Sequence, residues 1–227
     1  MTNTKKIQVL RKELSGRYQL GNEQHNLCGR RISVTCVEDA EELFSRQVLS
    51  DPDSLEIRDE RLPYWACLWP AAIVLSQLLV SKRCLNSDEK VLELGCGLGL
   101  VSAVASLKGA SVTATDYQSD ALKFTRMNCL QIAGVDPNIM VLDWRDPPNP
   151  FKFSIILGAD LVYEARFYDP LIKCFDNYLD NKGHILFSEP NREMSQVFFD
   201  RLAYAGWQYT TILKDQDAAV YRVERAR

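Results

Sequence analysis

The sequence predicts an α/β protein, a mostly parallel seven-stranded sheet with helices on both faces and an antiparallel hairpin at its C-terminal end. Three observations carry this expectation. From about residue 63 onward, short apolar runs rich in β-branched residues alternate with segments of helical spacing. Val91-Leu92-Glu93-Leu94 breaks into glycines at 95, 97 and 99, then resumes as small and apolar residues through Leu107, which reads as strand, tight turn and helix. Finally, residues 209–213 and 218–223 read as two strands joined by a polar turn, an antiparallel ending to a βα series.

Residues 1–62 show no catalytic pattern and are expected to cap one side of a domain formed by residues 63–227. Ile7, Leu10 and Leu14 share one face of a short basic helix that Ser15-Gly16 ends. Residues 18–20 and 32–37 are expected to pair as short strands around a polar, glycine-containing connection. Residues 38–49 read as an acidic helix with apolar contacts from Ala40, Leu43, Phe44 and Val48, stopped by Asp51-Pro52-Asp53. Pro70 suits the first turn of a further helix, which Ile73, Val74, Leu75, Leu78 and Leu79 carry, mostly buried, to about Ser81. At its entrance, Tyr64 and Trp65 fit core packing and a binding surface equally well.

The glycine turn is the centre of the functional reading. Glycines there let backbone amides approach a ligand, because no Cβ intervenes and positive φ carries little penalty. Residues 111–116 form the next strand and end in Asp116, about 20 residues beyond the glycines, where a ribose diol could be held. The pair points to a nucleoside cofactor. A dinucleotide fingerprint needs Gly-x-Gly-x-x-Gly, but Leu100 or Ser102 stands where its third glycine belongs; no Gly-Lys-Ser/Thr follows, so a P-loop is excluded. Gly-x-Gly-x-Gly with Glu93 two residues upstream instead resembles motif I of the seven-strand, Rossmann-like S-adenosylmethionine-dependent methyltransferases.

The remaining elements carry that resemblance further. Residues 120–134 read as a helix closed by Gly134, and 139–142 as a strand followed by Asp143-Trp144. An acid beside an indole suits adenine: Asp143 can accept from the exocyclic amine while Trp144 covers the ring. Pro147-Pro148-Asn149-Pro150 makes a rigid loop into the strand at 153–158, which ends at Ala159-Asp160-Leu161-Val162-Tyr163. Ligands of open α/β sheets lie at such carboxyl ends, so Asp160 and Tyr163 should face the reactive part of the cofactor, converging if the chain turns helically after Asp160. A helix over 168–179, a strand over 184–188 and a helix over 194–205 complete the series, with Glu189-Pro190-Asn191-Arg192 between the last two and Arg192 placed to pair with Glu189. Asp-x-x-Tyr after the fourth strand, the Asp-Trp pair and the Trp69-Pro70 pair are similar to methyltransferase family 16, including its bacterial-type protein-lysine methyltransferase-like relatives.

That resemblance runs from about residue 62 to the C-terminus. It implies Trp69, Glu93, Gly95, Gly97, Gly99, Asp116, Asp143, Trp144 and Ala159 as cofactor contacts and Asp160 and Tyr163 as catalytic residues. It also implies S-adenosylmethionine as cofactor, S-adenosylhomocysteine as product and a lysine-bearing protein as partner. A small-molecule N-methyltransferase and a non-catalytic cofactor-binding module are the other readings open at this point. Asp146-Pro147-Pro148-Asn149 precedes the fourth strand and lacks the aromatic residue of nucleic-acid amino-methyltransferases, and the net charge of −3 gives no general nucleic-acid affinity. The basic residues Lys5, Lys6, Arg11, Lys12, Arg17, Arg30 and Arg31 read as a solvated face. Seven cysteines without a Cys-x-x-Cys pair, and only two histidines, suggest neither a disulfide framework nor a metal site. Together with the absence of an apolar leader or a long apolar span, this leads to the expectation of a cytoplasmic protein without membrane association. The oligomeric state is left open, with a monomer favoured.

Overall fold

The computed structural model describes residues 1–50, 62–148, 151–193 and 195–226, with side chains described through residue 46 in the first stretch. The sheet follows the βα alternation. β3 (Lys90–Leu94) leads through α4 (Leu100–Leu107) to β4 (Ser111–Asp116), then through α5 (Ser119–Ile132) to β5 (Asn138–Val141). The chain crosses back to β6 (Phe153–Ala159), α6 (Tyr168–Tyr178), β7 (Leu179–Glu189), α7 (Ser195–Tyr204), β8 (Trp207–Lys214) and β9 (Ala219–Arg225). The strand order is β5-β4-β3-β6-β7-β9-β8; β5 through β7 pair in parallel, while β9 runs antiparallel to both of its neighbours. The order reverses beside β3, so a crevice opens between the carboxyl ends of β3 and β6.

Alternation along the strands divides the core into two layers. Val91, Ile155, Leu157 and Leu186 point to one layer, which they share with α4, α5 and α3 (Pro70–Ser81). Leu92, Ile156, Ile185 and Phe187 point to the other, shared with α6 and α7. Phe187 is fully buried against Phe175, Phe198 and Phe199, so removing its ring would cost roughly 3–5 kcal/mol. Among the described residues no helix is long and apolar enough to cross a membrane.

The N-terminal segment joins the first layer. α1 (Asn3–Ser15) buries Leu10 and Leu14, and β1 (Leu20–Leu27) pairs antiparallel with β2 (Arg30–Val37), which buries Ile32, Val34 and Cys36. Two of the basic residues read as a solvated face form ion pairs instead: Lys6 with Asp136 at 2.6 Å and Arg17 with Asp120 at 2.5 Å. Asn128 on α5 ties the hairpin to the glycine turn. Its buried amide accepts from Thr35 N at 2.8 Å and donates to Thr35 O at 2.9 Å and Leu98 O at 2.8 Å. α2 (Ala40–Ser50) begins later than expected because the Asp39 carboxylate caps it through Glu42 N at 2.7 Å. The expected contacts of Val48 and the stop at Asp51-Pro52-Asp53 lie outside the described residues, as does Met194.

Two strands extend well beyond the sequence expectation. β1 continues through the polar residues Glu23 to Asn26, because each pairs with β2 irrespective of its side chain. β7 starts at Leu179 and runs through Gly183; a Cβ on that glycine would sit 2.7 Å from Ser154 O and 2.8 Å from Leu179 Cδ1, where the register with β6 shifts.

Candidate active site

The crevice at the strand ends is a cleft of about 1090 Å³, open mouth included. Its floor is the turn after β3. Gly95, Gly97 and Gly99 all have positive φ, at 62°, 51° and 80°. What each missing Cβ permits differs. At Gly95 a Cβ would meet Leu161 Cδ2 at 2.7 Å and Trp144 at 3.5 Å, and at Gly97 the carbonyl of Trp65 at 3.3 Å. At Gly99 it would lie 2.5 Å from Thr125 Cα on α5. Gly95 and Gly97 line the cleft; Gly99 packs the turn onto α5.

Three of the turn's amides have partners within the protein. Cys96 N donates to Thr115 O at 2.9 Å, Gly97 N to Asp116 Oδ2 at 3.0 Å and Gly99 N to Cys96 O at 2.8 Å. The first two acceptors belong to the end of β4, and the third to the turn itself. The turn thus offers a Cβ-free surface and places carboxyl groups beside it. Asp116 accepts from Gln118 N as well, and burial, opposed by these two amides, pushes its carboxyl up to about 6. Glu93 is buried behind it, accepts the Ser102 hydroxyl, and is pushed by burial up to about 8.

Aromatic rings form one wall. A short 3₁₀ turn at Tyr64–Ala66 leads to Trp69, the residue before α3, whose Nε1 donates to Tyr64 O at 2.9 Å. Tyr64 and Trp65 both line the cleft, so the two readings left open for them are not exclusive. Trp65 packs against Tyr18 and Phe124 of the core with centroids 5.6 and 5.4 Å away. The Tyr64 ring lines the cleft and meets Phe44, Trp69 and Tyr163 at 5.8, 6.3 and 5.4 Å.

Asp143 and Trp144 follow β5 into the same cleft. Trp144 meets Phe167 edge-on at 5.9 Å, and the Asp143 carboxylate holds the Arg145 guanidinium at 2.9 and 2.6 Å. Asp143 is therefore an ion-paired acceptor.

Ala159, Asp160 and Tyr163 line the opposite side at the end of β6. The helical turn expected after Asp160 is absent; the 3₁₀ turn comes at Ala165–Phe167. Asp160 instead takes a left-handed conformation, φ 57°, which sends its amide to Ser188 O at 2.9 Å on the neighbouring β7. Aspartate tolerates this region better than most residues. Leu161 fills the space left by two glycines: a Cβ on Gly158 would meet its Cδ1 at 2.7 Å, as Gly95 would its Cδ2. Arg192 reaches back from the β7 exit to Asp160, with Nη1 to Oδ1 at 2.5 Å and Nη2 to Oδ2 at 3.3 Å, as well as to Glu189 at 3.3 Å. The expectation that Arg192 pairs with Glu189 thus misses its closer partner, 32 residues away.

Phe167 and Leu161 were not among the expected site residues, and nothing in their sequence spacing marks them; for Tyr64 the sequence leaves core and binding surface open. The cleft brings together every expected residue except Gly99. Its chemistry is acidic and aromatic: Glu93, Asp116, Asp143, Asp160 and Glu164 among rings that include Tyr64, Trp69, Trp144, Tyr163 and Phe167, with Arg145 as its basic member among the described lining residues. Such a surface suits a cationic ligand carrying hydroxyl and amine donors and a flat ring. A diphosphate would be repelled by those of these carboxyl groups that are ionised.

Comparisons with known proteins agree with this. A family model described as lysine methyltransferase matches residues 49–205. A protein-lysine methyltransferase of Mus musculus, METTL21E, is 33% identical over 163 residues, covering 65% of this chain and 65% of its own. The protein N-lysine methyltransferase METTL21A of Xenopus tropicalis is 34% identical over 142 residues, covering 60% of this chain and 66% of its own. In both, the matched stretch is just under two thirds of the relative's length. Among solved structures, the ribosomal protein L11 methylase of Lactobacillus delbrueckii subsp. bulgaricus shares the fold, with a TM-score of 0.56 at 20% identity over 67% of this chain and 77% of its own. With the family model spanning more than half of its length, the chain belongs to the lysine methyltransferase family.

Proposed function

We propose that this chain transfers a methyl group from S-adenosylmethionine to the side-chain amine of a lysine in a protein, leaving S-adenosylhomocysteine. The observation that carries the reading is the joining of two chemistries in one cleft. Asp116, Asp143 and Trp144 offer acceptors and a ring face for a nucleoside, while Asp160 and Tyr163 stand at the end of β6 with the Tyr64 ring against Tyr163.

In this reading Asp116 accepts from the ribose hydroxyls, Asp143 from the adenine amine, and Trp144 covers the ring. Glu93, Gly95, Gly97, Trp69 and Ala159 complete the walls, and Gly99 acts through the shape of the turn. S-adenosylmethionine supplies a methyl group already activated by its sulfonium, so the protein has to present a neutral amine in line and keep water out. Lysine's ordinary pKa near 10.4 opposes this. Desolvation among Tyr64, Trp69 and Tyr163 favours the neutral amine. Asp160 accepts a hydrogen bond from the amine and so fixes the direction of its lone pair. The Tyr163 ring and hydroxyl face a group that becomes cationic on methylation.

The test is incubation of the purified protein with methyl-labelled S-adenosylmethionine and cell lysate, followed by separation of macromolecules from metabolites. Label in protein that falls sharply with Asp160→Asn supports the reading. Label only in small molecules would replace it with a small-molecule N-methyltransferase, and binding without any transfer would leave a cofactor-binding module.

A further inference from the structure

We propose that Arg192 and Glu189 are positioning residues that hold the Asp160 carboxylate, ionised and fixed in direction, at the wall of the cleft. This deepens the methyl-transfer reading of the same site and rests on it for the functional half of the claim.

The geometry is a three-member cluster at the exit of β7. Arg192 brackets both oxygens of Asp160, and its Nη1 also touches Glu189 Oε1 at 3.3 Å. Glu189 Oε1 takes the Ser195 hydroxyl at 2.9 Å, while Oε2 is buried with no hydrogen-bond partner among the described residues. A tight turn, Arg192 N to Pro190 O at 2.6 Å, and the bond from Ser195 N to Arg192 O at 3.1 Å hold the loop that carries the guanidinium. Asp160 itself is pinned by its left-handed backbone and its amide bond to Ser188. Its carboxylate lines the cleft, to which lone pairs that Arg192 does not use can be presented.

Two buried carboxyl groups share one guanidinium. Burial raises Asp160 and Arg192 opposes it. Glu189 is raised to about 7, first by burial and then by Asp160. The groups facing Glu189 are Asp160 and the Val162 amide from the β6 exit, Tyr168 on α6, Ser195 on α7, Tyr221 on β9, and Arg192. Of these only Arg192 is a cation. Near neutral pH Glu189 can hold a proton, so that the guanidinium is left to Asp160 and the acceptor facing the cleft stays ionised. Without Arg192 the burial of Asp160 is unopposed, and its carboxyl protonates at a higher pH. A protonated Asp160 cannot accept from the amine on both oxygens.

The experiment has two readouts on the full chain. Carboxyl ¹³C NMR, with Asp160 assigned through Asp160→Asn, follows its titration without requiring turnover. Methyl transfer from labelled S-adenosylmethionine to lysate protein is measured across pH in parallel. In Arg192→Met the Asp160 midpoint should rise by about 1–3 pH units, as removal of an adjacent guanidinium does, and Arg192→Lys should recover part of the shift. The acid limb of the transfer profile should move by the same amount, about tenfold in rate for each pH unit. If Arg192→Met fails to fold, Arg192→Met with Glu189→Gln removes the second buried carboxyl and should still show the raised midpoint. A moved midpoint with no transfer by the wild type would retain the positioning of Asp160 and remove the methyl-transfer reading. Unchanged midpoints, or a uniform loss of rate with an unmoved acid limb, would overturn the proposal.

Discussion

Gly99→Ala tests how the glycine turn is built. A Cβ there would stand 2.5 Å from Thr125 Cα, 2.6 Å from its Oγ1 and 2.7 Å from its Cβ, so α5 backbone has to move. Alanine at φ 80° adds strain of roughly 1–2 kcal/mol, and overpacking a rigid contact typically costs about 1–3 kcal/mol more. Gly134→Ala is the control. It has φ 70° and nothing within 4 Å of the added carbon, so it carries the backbone strain alone. The two variants should therefore differ by about 3 kcal/mol, the upper end of the overpacking range, which for a chain of this size is a difference of roughly 6–12 °C in Tm. Thermal unfolding followed by circular dichroism measures the difference. Calorimetric titration with S-adenosylhomocysteine should show affinity reduced in Gly99→Ala, whose turn has moved, and retained in Gly134→Ala. Equal losses of Tm would refute the argument that Gly99 exists for its packing on Thr125.

Three further outcomes follow from the site's electrostatics and its anchoring. Glu93 is raised by burial from an ordinary 4.5 to about 8, so the folded state binds more protons than the unfolded state across that interval, and stability falls as pH rises through it. Glu93→Gln lacks this loss; its Tm should gain on the wild type from pH 5 to pH 8.5, by on the order of 4 kcal/mol of stability, and parallel curves would contradict the assignment. Asp116, raised to about 6, must ionise to accept fully from ribose hydroxyls, so S-adenosylhomocysteine affinity should rise with pH from 5 to 7.5. Asp116→Asn should bind roughly 10–100-fold more weakly with a flat pH dependence, and a retained slope would place the titrating group elsewhere. Asn128→Ala leaves Thr35 and Leu98 without their buried partners, a cost of roughly 2–4 kcal/mol. Hydrogen exchange should quicken at the Thr35 amide, and unchanged protection there would mean that the hairpin is held by other contacts.

The sheet was legible because its periodicity is local. β4 has the bounds expected from its Val, Thr and Ala alternation, and α3 starts at Pro70, whose fixed φ and missing N–H suit a first turn. β1 was not, since Glu23, Gln24, His25 and Asn26 carry no alternation and owe their extended form to pairing with β2. In the site, residue types were readable and their partners were not. Asp160 and Arg192 lie on different strand exits, and only the side-by-side pairing of β6 and β7 brings them together. The left-handed turn at Asp160 depends on the Ser188 carbonyl for the same reason. The glycine spacing announced a Cβ-free turn correctly, but the destination of two of its amides depends on the end of β4, which local spacing does not encode.

The central claim is that a methyl group ends on the nitrogen of a protein lysine. Protein labelled in lysate with methyl-labelled S-adenosylmethionine should be freed of unreacted donor, hydrolysed in acid, and its amino acids separated. The label is predicted to elute as ε-N-methylated lysine, to resist prior treatment with base, and to be lost in Asp160→Asn. Label released by base as methanol, or recovered on an amino acid other than lysine, would contradict the account.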